Sequence, residues 1–345
     1  MSNLGWPRRD FLTGLMAFGA MIAAPTSLLA RARPRRIDVH YHPIAPEWLA
    51  EDAVQKTLGP VLGKAKDWTP ARAIEEMDRN EVETVVCSVS NPGISFGDIE
   101  QGRRLARACN EYSARLARDN PGRFASFAAL PLSDIDGSLG ELTYALDTLH
   151  AEGVGLFTSY GDKWLADPSF APVFQELNRR KAVVYVHPTA PTCCRNLMPG
   201  IPAVLLEYPI DTSRVILQWV VSKSAALYPN LRLIFSHSGG LIMAGIGRLQ
   251  MLTESQPAMR LPTDFPAEIA KLYYEISSSA DAITMAALRS YVPTSHILLG
   301  TDSPFIGSMA PNLEKLQKLG LSKSDLTAIE RGNAVSLMPR LGVLR

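Results

Sequence analysis

The sequence predicts an α/β fold, a single (β/α)8 TIM barrel, and three observations lead there. From residue 36 onward, short β-branched runs alternate with longer amphipathic ones, the pattern of repeated βα units around a parallel sheet. The short runs are nearly all apolar, as strands covered on both faces should be. No Gly/Ser-rich or charge-run linker divides residues 33–345, and eight such units in roughly 300 residues suit one closed barrel.

The first strand, residues 36–42, ends in His40 and His42 at i and i+2, so alternation points both imidazoles the same way. Residues 48–68, with Gly59-Pro60 and Gly63, read as a long loop that could border a substrate entrance. Thr69 and Pro70 are an N-cap and first helical position for the helix over ARAIEEMDRN. Strands are then expected at 82–89, 123–130, 153–159, 182–187, 231–237, 272–277 and 296–301. Helices are expected at 98–118, 136–150, 167–180, 202–222, 239–252, 281–290, 312–319 and 322–341.

In a parallel barrel the C-terminal strand ends carry the chemistry. His40 and His42 end the first strand, His187 the fifth, His237 the sixth and Asp302 the eighth. Residues scattered along the chain are thereby brought to one rim. Imidazoles beside a carboxylate invite a divalent ion, with His40, His42, His187 and Asp302 as its ligands. A nitrogen- and carboxylate-rich set suits zinc, with manganese and iron compatible. His150, before Gly153, and His296, at the start of the eighth strand, read as structural. Cys87, Cys109, Cys193 and Cys194 do not form a disulfide framework, and Cys87 and Cys109 read as small buried hydrophobes.

The chain has 345 residues, 46% hydrophobic and 20% charged, enough for one large core. Lys+Arg number 35 against Asp+Glu 34, a net +1, so there is no electrostatic footprint for nucleic acid or an anionic membrane. A small-molecule substrate fits better. At the N-terminus, Arg8-Arg9-Asp10-Phe11-Leu12 precedes the apolar run LMAFGAMIAAP and small residues near Ala30 and Ala32. Residues 1–32 therefore read as a Tat-type signal peptide, giving a periplasmic or exported mature chain, with a cytoplasmic location as the alternative. The run is shorter than the roughly 20 apolar residues a span prefers, so no membrane span is expected in the mature chain.

HxH on the first strand, HPTAP on the fifth, SHSGG on the sixth and GTDSPF on the eighth, in this order, resemble the amidohydrolase-related metal-dependent decarboxylases of the metal-dependent hydrolase superfamily. The aminocarboxymuconate semialdehyde decarboxylases and, more closely, the 6-methylsalicylate decarboxylase type are meant. The resemblance extends through DWTPARAIEEMDRNEVETVVCSVSNPG, PGRFASFAALPLSDIDG and GNAVSLMPRLG, so it spans the whole domain. It implies one metal, usually zinc and in some relatives manganese, on His40, His42, His187 and Asp302, with His237 beside it as an acid–base group. It also implies that Arg248 reaches into a neighbouring subunit to bind a substrate carboxylate, hence a homodimer. A second substrate-binding arginine of the muconate enzyme, just before the tryptophan matching Trp68, is replaced by Lys64 and Lys66, which points to a monocarboxylate.

The expected reaction is nonoxidative decarboxylation of an aromatic or muconate-like carboxylic acid, such as a 6-methylsalicylate-like hydroxybenzoate. Asp302 or His237 would deliver a proton to the carbon that loses carbon dioxide, and Trp68, Phe96 or Phe305 could wall a flat ring. The alternative is hydrolysis of an amide or lactone by a mononuclear metal-dependent hydrolase, with His237 as general base. The fourth strand, GVGLFTS, lacks the lysine that bridges two metals in binuclear hydrolases of the superfamily, which favours one metal and the lyase.

Overall fold

A computed structural model describes residues 36–343 apart from 196, 260 and 263. The expected signal peptide at 1–32 lies outside the described residues. Eight strands follow one another in chain order around one sheet: β1 (Arg36–Tyr41), β2 (Val82–Cys87), β3 (Phe124–Ala129), β4 (Gly153–Phe157), β5 (Val183–His187), β6 (Arg232–Phe235), β7 (Tyr273–Glu275) and β8 (Ile297–Leu298). Neighbours pair in parallel throughout. The last strand returns to the first through Val39 N–H to Leu299 O at 2.9 Å, Asp302 N–H to His40 O at 2.8 Å and His42 N–H to Ser303 O at 2.9 Å. The barrel is closed, so it has no free edge.

A helix follows each strand: α1 (Pro70–Arg79), α2 (Ile99–Asp119), α3 (Ile135–Asp147), α4 (Ala171–Arg179), α5 (Ala203–Val221), α6 (Ile242–Ser255), α7 (Ala282–Tyr291) and α8 (Ala310–Gln317). Thr69 caps α1 by accepting from Arg72 N–H at 3.2 Å, as its position predicts. Helix α3 starts one residue early because Asp134 is its cap, accepting from Gly137 N–H at 3.2 Å. Helix α6 starts at Ile242 rather than at 239. Gly239 and Gly240 have φ of +78° and +67°, and a Cβ on Gly240 would lie 2.1 Å from the Pro209 carbonyl oxygen. That close approach of α5 excludes any larger residue and delays the helix.

One expectation needs correction. Residues 48–68 are not a loop: Pro46–Leu49, Asp52–Leu58 and Leu62–Asp67 are short helices joined by a turn at Gly59–Val61. Trp48, Val54, Leu58 and Ala65 bury themselves with Ile94, Leu105 and Ala106, so the segment has its own apolar core. The expected C-terminal helix at 322–341 is present as one helical run from Lys323 to Leu337, with a wide turn at Ala328–Gly332 in its middle and a tight turn at Pro339–Gly342 after it. The wide turn offers Ile329 O to Leu299 N–H at 3.1 Å, tying the chain end to the β8 side of the barrel.

In the core, Phe127 and Tyr185 stack with centroids 5.4 Å apart and an interplanar angle of 9°, and Tyr185 packs 5.2 Å from the His40 ring. An aromatic pair of this kind adds about 0.5–1.5 kcal/mol beyond its burial. It forms a rigid apolar floor for the histidines. Among the described residues, no helix is long and apolar enough to cross a membrane.

Candidate metal centre

Strand alternation aims His40 and His42 together, and their Nε2 atoms are 3.0 Å apart. Asp302 Oδ1 lies 3.0 Å from His42 Nε2 and 3.3 Å from His40 Nε2. His187, ending β5, brings its ring to 5.2 Å from that of His40 and 4.9 Å from that of His42. One donor atom from each of His40, His42, His187 and Asp302 lies within 4.8 Å of the others, and all four residues are buried.

His237 stands beside them, its Nε2 3.8 Å from Asp302 Oδ2. His237, Ser238 and Asp302 adopt left-handed φ of 53°, 56° and 60°. Each such conformation costs about 1–3 kcal/mol and persists only where the surroundings impose it. The turn at His237 ends β6 two residues earlier than its apolar pattern predicts.

All four imidazoles are held alike. Nδ1 of His40 meets Glu275 Oε1 at 2.9 Å, that of His42 meets Ser88 O at 2.9 Å, that of His187 meets Pro188 O at 2.8 Å and that of His237 meets Ser277 O at 3.0 Å. Each partner only accepts, so each Nδ1 donates, and Nε2 is the atom presented inward. Adjacent nitrogens around a four-coordinate ion with bonds of about 2.0–2.1 Å lie about 3.3 Å apart, close to the observed spacing. The donor set and its orientation fit a divalent metal ion.

The electrostatics agree. Burial opposes charge on His40, yet the Asp302 and Glu275 carboxylates outweigh it and hold its pKa well above the ordinary imidazole range. Burial, reinforced by the neighbouring imidazoles, holds His187 well below that range, and burial also lowers His42. Burial disfavours an ionised Asp302 as well, but His40 and His42 overcome it and keep its pKa far below the usual carboxylate range. Carboxylate oxygens and inward-turned imidazole nitrogens together suit a positive charge at the centre of the cluster.

Two carboxylates that sequence reasoning missed hold this arrangement. Glu275, fully buried on β7, accepts from His40 Nδ1, from His237 N–H at 2.7 Å and from Ser277 N–H at 2.6 Å. Asp38 accepts from His40 N–H at 3.0 Å, Thr301 N–H at 3.1 Å and the Thr301 hydroxyl at 2.5 Å, pinning β1 to the segment that carries Asp302. Asp38 sits at i−2 of the HxH pair on the same strand face, which was the available signal. Glu275 gives none without knowing that its strand adjoins that of His237.

The centre opens into a cavity of about 1000 Å³. His187, His237 and Asp302 line one part, while Leu58, Val61, Phe96, Phe305 and Ile306 supply apolar walls. Phe305 also packs 5.6 Å from the His42 ring. Among the described lining residues Arg195 is the one cation, and sequence reasoning did not single it out. Trp68 is not among them; its Nε1–H donates to the Tyr41 hydroxyl at 2.9 Å instead. Arg248 is exposed on α6 and does not line this cavity, and Lys64 and Lys66 are exposed on the helix at Leu62–Asp67. His296 stacks on Tyr273 with ring centroids 4.1 Å apart, and its Nδ1 lies 3.2 Å from Leu272 O.

The sequence model of the amidohydrolase family matches residues 37–340. The chain belongs to the amidohydrolase family. The chain is 32% identical to decarboxylase yanB of Aspergillus niger over 88% of each chain. It is 31% identical to the 6-methylsalicylic acid decarboxylase of Penicillium expansum, over 90% of this chain and 98% of that one. Among solved structures it resembles 2,6-dihydroxybenzoate decarboxylase from Rhizobium, with a TM-score of 0.78 and 21% identity over 89% of this chain and 99% of that chain. The manganese-bound dihydroxybenzoic acid decarboxylase from Polaromonas superposes equally well, with a TM-score of 0.78 and 21% identity over 88% and 97%. These structural likenesses establish a shared fold.

Proposed function

We propose that this member of the amidohydrolase family is a carboxy-lyase that removes carbon dioxide nonoxidatively from an aromatic carboxylic acid, with a 6-methylsalicylate-like hydroxybenzoate as the substrate type. The reading rests on one conjunction: inward-facing imidazoles and Asp302 at the end of an apolar-walled cavity, in a chain whose relatives over nearly its full length are decarboxylases. His40, His42, His187 and Asp302 hold one divalent ion, zinc by the donor chemistry, with manganese as the second candidate because the Polaromonas protein binds it. When bound, such an ion supplies a Lewis acid and a template for the substrate carboxylate and an adjacent hydroxyl.

The chain's own groups do the rest. Phe96 and Phe305 flank the space for a flat ring and keep water from it. His237, its Nδ1 committed to Ser277 O, presents Nε2 to the cavity and passes a proton to the ring carbon that bears the carboxylate. The carbon–carbon bond then breaks, carbon dioxide leaves and the electron pair returns to the ring. Asp302, whose carboxylate lies 3.8 Å from that nitrogen, favours the protonated imidazole that delivers the proton. Arg195 supplies the positive charge that draws an organic anion into the cavity.

We further infer that residues 1–32 are removed on Tat export, leaving 33–345 as the mature single domain in the periplasm or outside. Leu197, Ile201, Val204 and Leu205 are exposed, and a homodimer that covers them, with Arg248 serving the neighbouring subunit, is the proposed assembly. Cell fractionation and analytical ultracentrifugation test these two points, and a cytosolic monomer would contradict both.

The activity is tested by measuring carbon dioxide released from a panel of hydroxybenzoates, 6-methylsalicylate and 2,6-dihydroxybenzoate included, beside a panel of esters, lactones and amides. Metal-dependent carbon dioxide release is expected. Hydrolysis without carbon dioxide from any acid would overturn the lyase reading in favour of a hydrolase.

A further inference from the structure

Helix α5 carries a carboxylate where its core-facing stripe should be apolar. Asp211 has no exposed surface and lies at helical spacing with the buried Val215 and Trp219. Burying a carboxylate costs several kcal/mol unless its oxygens are matched by donors, so a reason for its presence is required. Its oxygens accept from the Thr158 hydroxyl at 2.5 Å, the Ser159 hydroxyl at 3.1 Å and Trp164 Nε1–H at 2.7 Å. Arg214 Nη1 adds an ion pair at 3.6 Å.

Thr158 is what connects this carboxylate to the metal centre. It follows β4 directly and grips the His187-Pro188-Thr189 segment at two points. Its N–H donates to His187 O at 2.9 Å, and its hydroxyl oxygen accepts from Thr189 N–H at 3.1 Å. The Thr189 hydroxyl in turn donates to Asn91 Oδ1 at 2.7 Å, and both residues line the cavity. The Thr158 hydroxyl has one hydrogen; because Asp211 takes it, the lone pair is left facing Thr189 N–H.

We propose that Asp211 is a positioning residue that, through Thr158, sets the backbone of His187–Thr189 and so aims His187 Nε2 into the metal centre. Asparagine replaces it poorly. With its oxygen kept on Trp164 Nε1–H, its NH2 faces the Thr158 and Ser159 hydroxyls, which must turn round to accept from it. The Thr158 hydrogen then loses its acceptor and its oxygen takes a second donor beside Thr189 N–H; turned over, the NH2 opposes Trp164 Nε1–H. An acceptor-only group keeps Thr158 donating to α5 and accepting from Thr189. The inference rests on the metal-centre reading above, not on the identity of the acid that is decarboxylated.

The full-length chain and its Thr158→Val, Thr158→Ser and Asp211→Asn variants are stripped with a chelator and titrated with Zn2+ against a chromophoric competitor. The melting temperature of each metal-free protein is recorded alongside. Thr158→Val and Asp211→Asn should weaken Zn2+ binding about 10–100-fold, the range for groups that orient a metal-bound histidine. Thr158→Ser, which keeps the hydroxyl, should bind as the parent does, and metal-free Thr158→Val should melt within about 8 °C of it. Parent-like affinity in both Thr158→Val and Asp211→Asn would overturn the proposal, as would equal losses in Thr158→Ser and Thr158→Val. Should Asp211→Asn fail to fold, the Thr158 pair decides alone. A parent that binds no Zn2+ would overturn the metal-centre reading itself, whereas a binding parent with unaffected variants overturns only the role of Asp211.

Discussion

Glu275→Gln is the substitution in which the geometry around the histidines makes its most specific demand. Glu275 accepts His40 Nδ1–H, His237 N–H and Ser277 N–H while fully buried. Alanine would strand three buried donors at about 1–3 kcal/mol each, comparable with a whole folding margin of about 5–15 kcal/mol, and unfolding would mask the result. Glutamine keeps the volume. With its oxygen in place of Oε1, the His40 and His237 contacts survive, but the NH2 then faces Ser277 N–H across 2.6 Å, donor against donor. Turned over, it loses two contacts instead. The expected loss is about 1–3 kcal/mol in the metal-free protein, read as a lower urea midpoint. His40 also loses the anionic partner that raises its basicity, so Zn2+ affinity should fall about 10–100-fold, or about 1.4–2.8 kcal/mol. Parent-like Zn2+ affinity together with an unchanged urea midpoint would refute the claim that Glu275 orients His40.

Three further outcomes are expected. Gly300→Ala places a Cβ 1.9 Å from Glu275 Oε2 and 2.9 Å from the His40 Cβ, so it should reduce the bound metal measured by elemental analysis even though it adds only a methyl group; full occupancy would contradict this. His237→Gln should retain the metal while kcat falls about 10²–10⁴-fold, the usual contribution of a positioned acid or base; unchanged turnover would remove His237 from the chemistry. Hydrogen bonds from Arg179 and Arg180 hold the Glu176 carboxyl down to about 2, below its ordinary 4.5. A depressed carboxylate stabilises the fold above about pH 4.5 and loses that contribution as pH falls toward 2. Glu176→Gln should therefore be less stable than the parent at pH 6 and converge with it near pH 2 in low salt, and a gap that persists at pH 2 would contradict the pairing.

The barrel was legible because buried parallel strands need continuous apolar, β-branched runs, and eight such runs recur between helical patterns. The histidines and Asp302 were legible for a related reason: His40 and His42, two apart on one strand, must share a face, and the other polar residues recur at the same C-terminal strand ends, which form the mouth of the barrel. What escaped depends on contacts distant in sequence. Glu275 reads as one polar residue in a strand until β7 is seen beside the His237 turn, and Asp211 reads as an ordinary helix residue until Thr158 is placed against it. Residues 48–68 were misread because Gly59-Pro60 and Gly63 look like loop punctuation, although Val54 and Leu58 at i and i+4 carry a helical signal. The early end of β6 comes from left-handed residues at His237 and Ser238, non-glycine positions where composition gives no warning.

Anomalous diffraction from crystals grown with Mn2+ tests the central claim most directly. One strong peak at about 2.0–2.3 Å from Nε2 of His40, His42 and His187 and from an Asp302 carboxylate oxygen is predicted. A peak elsewhere, or no peak among these four side chains, would contradict it.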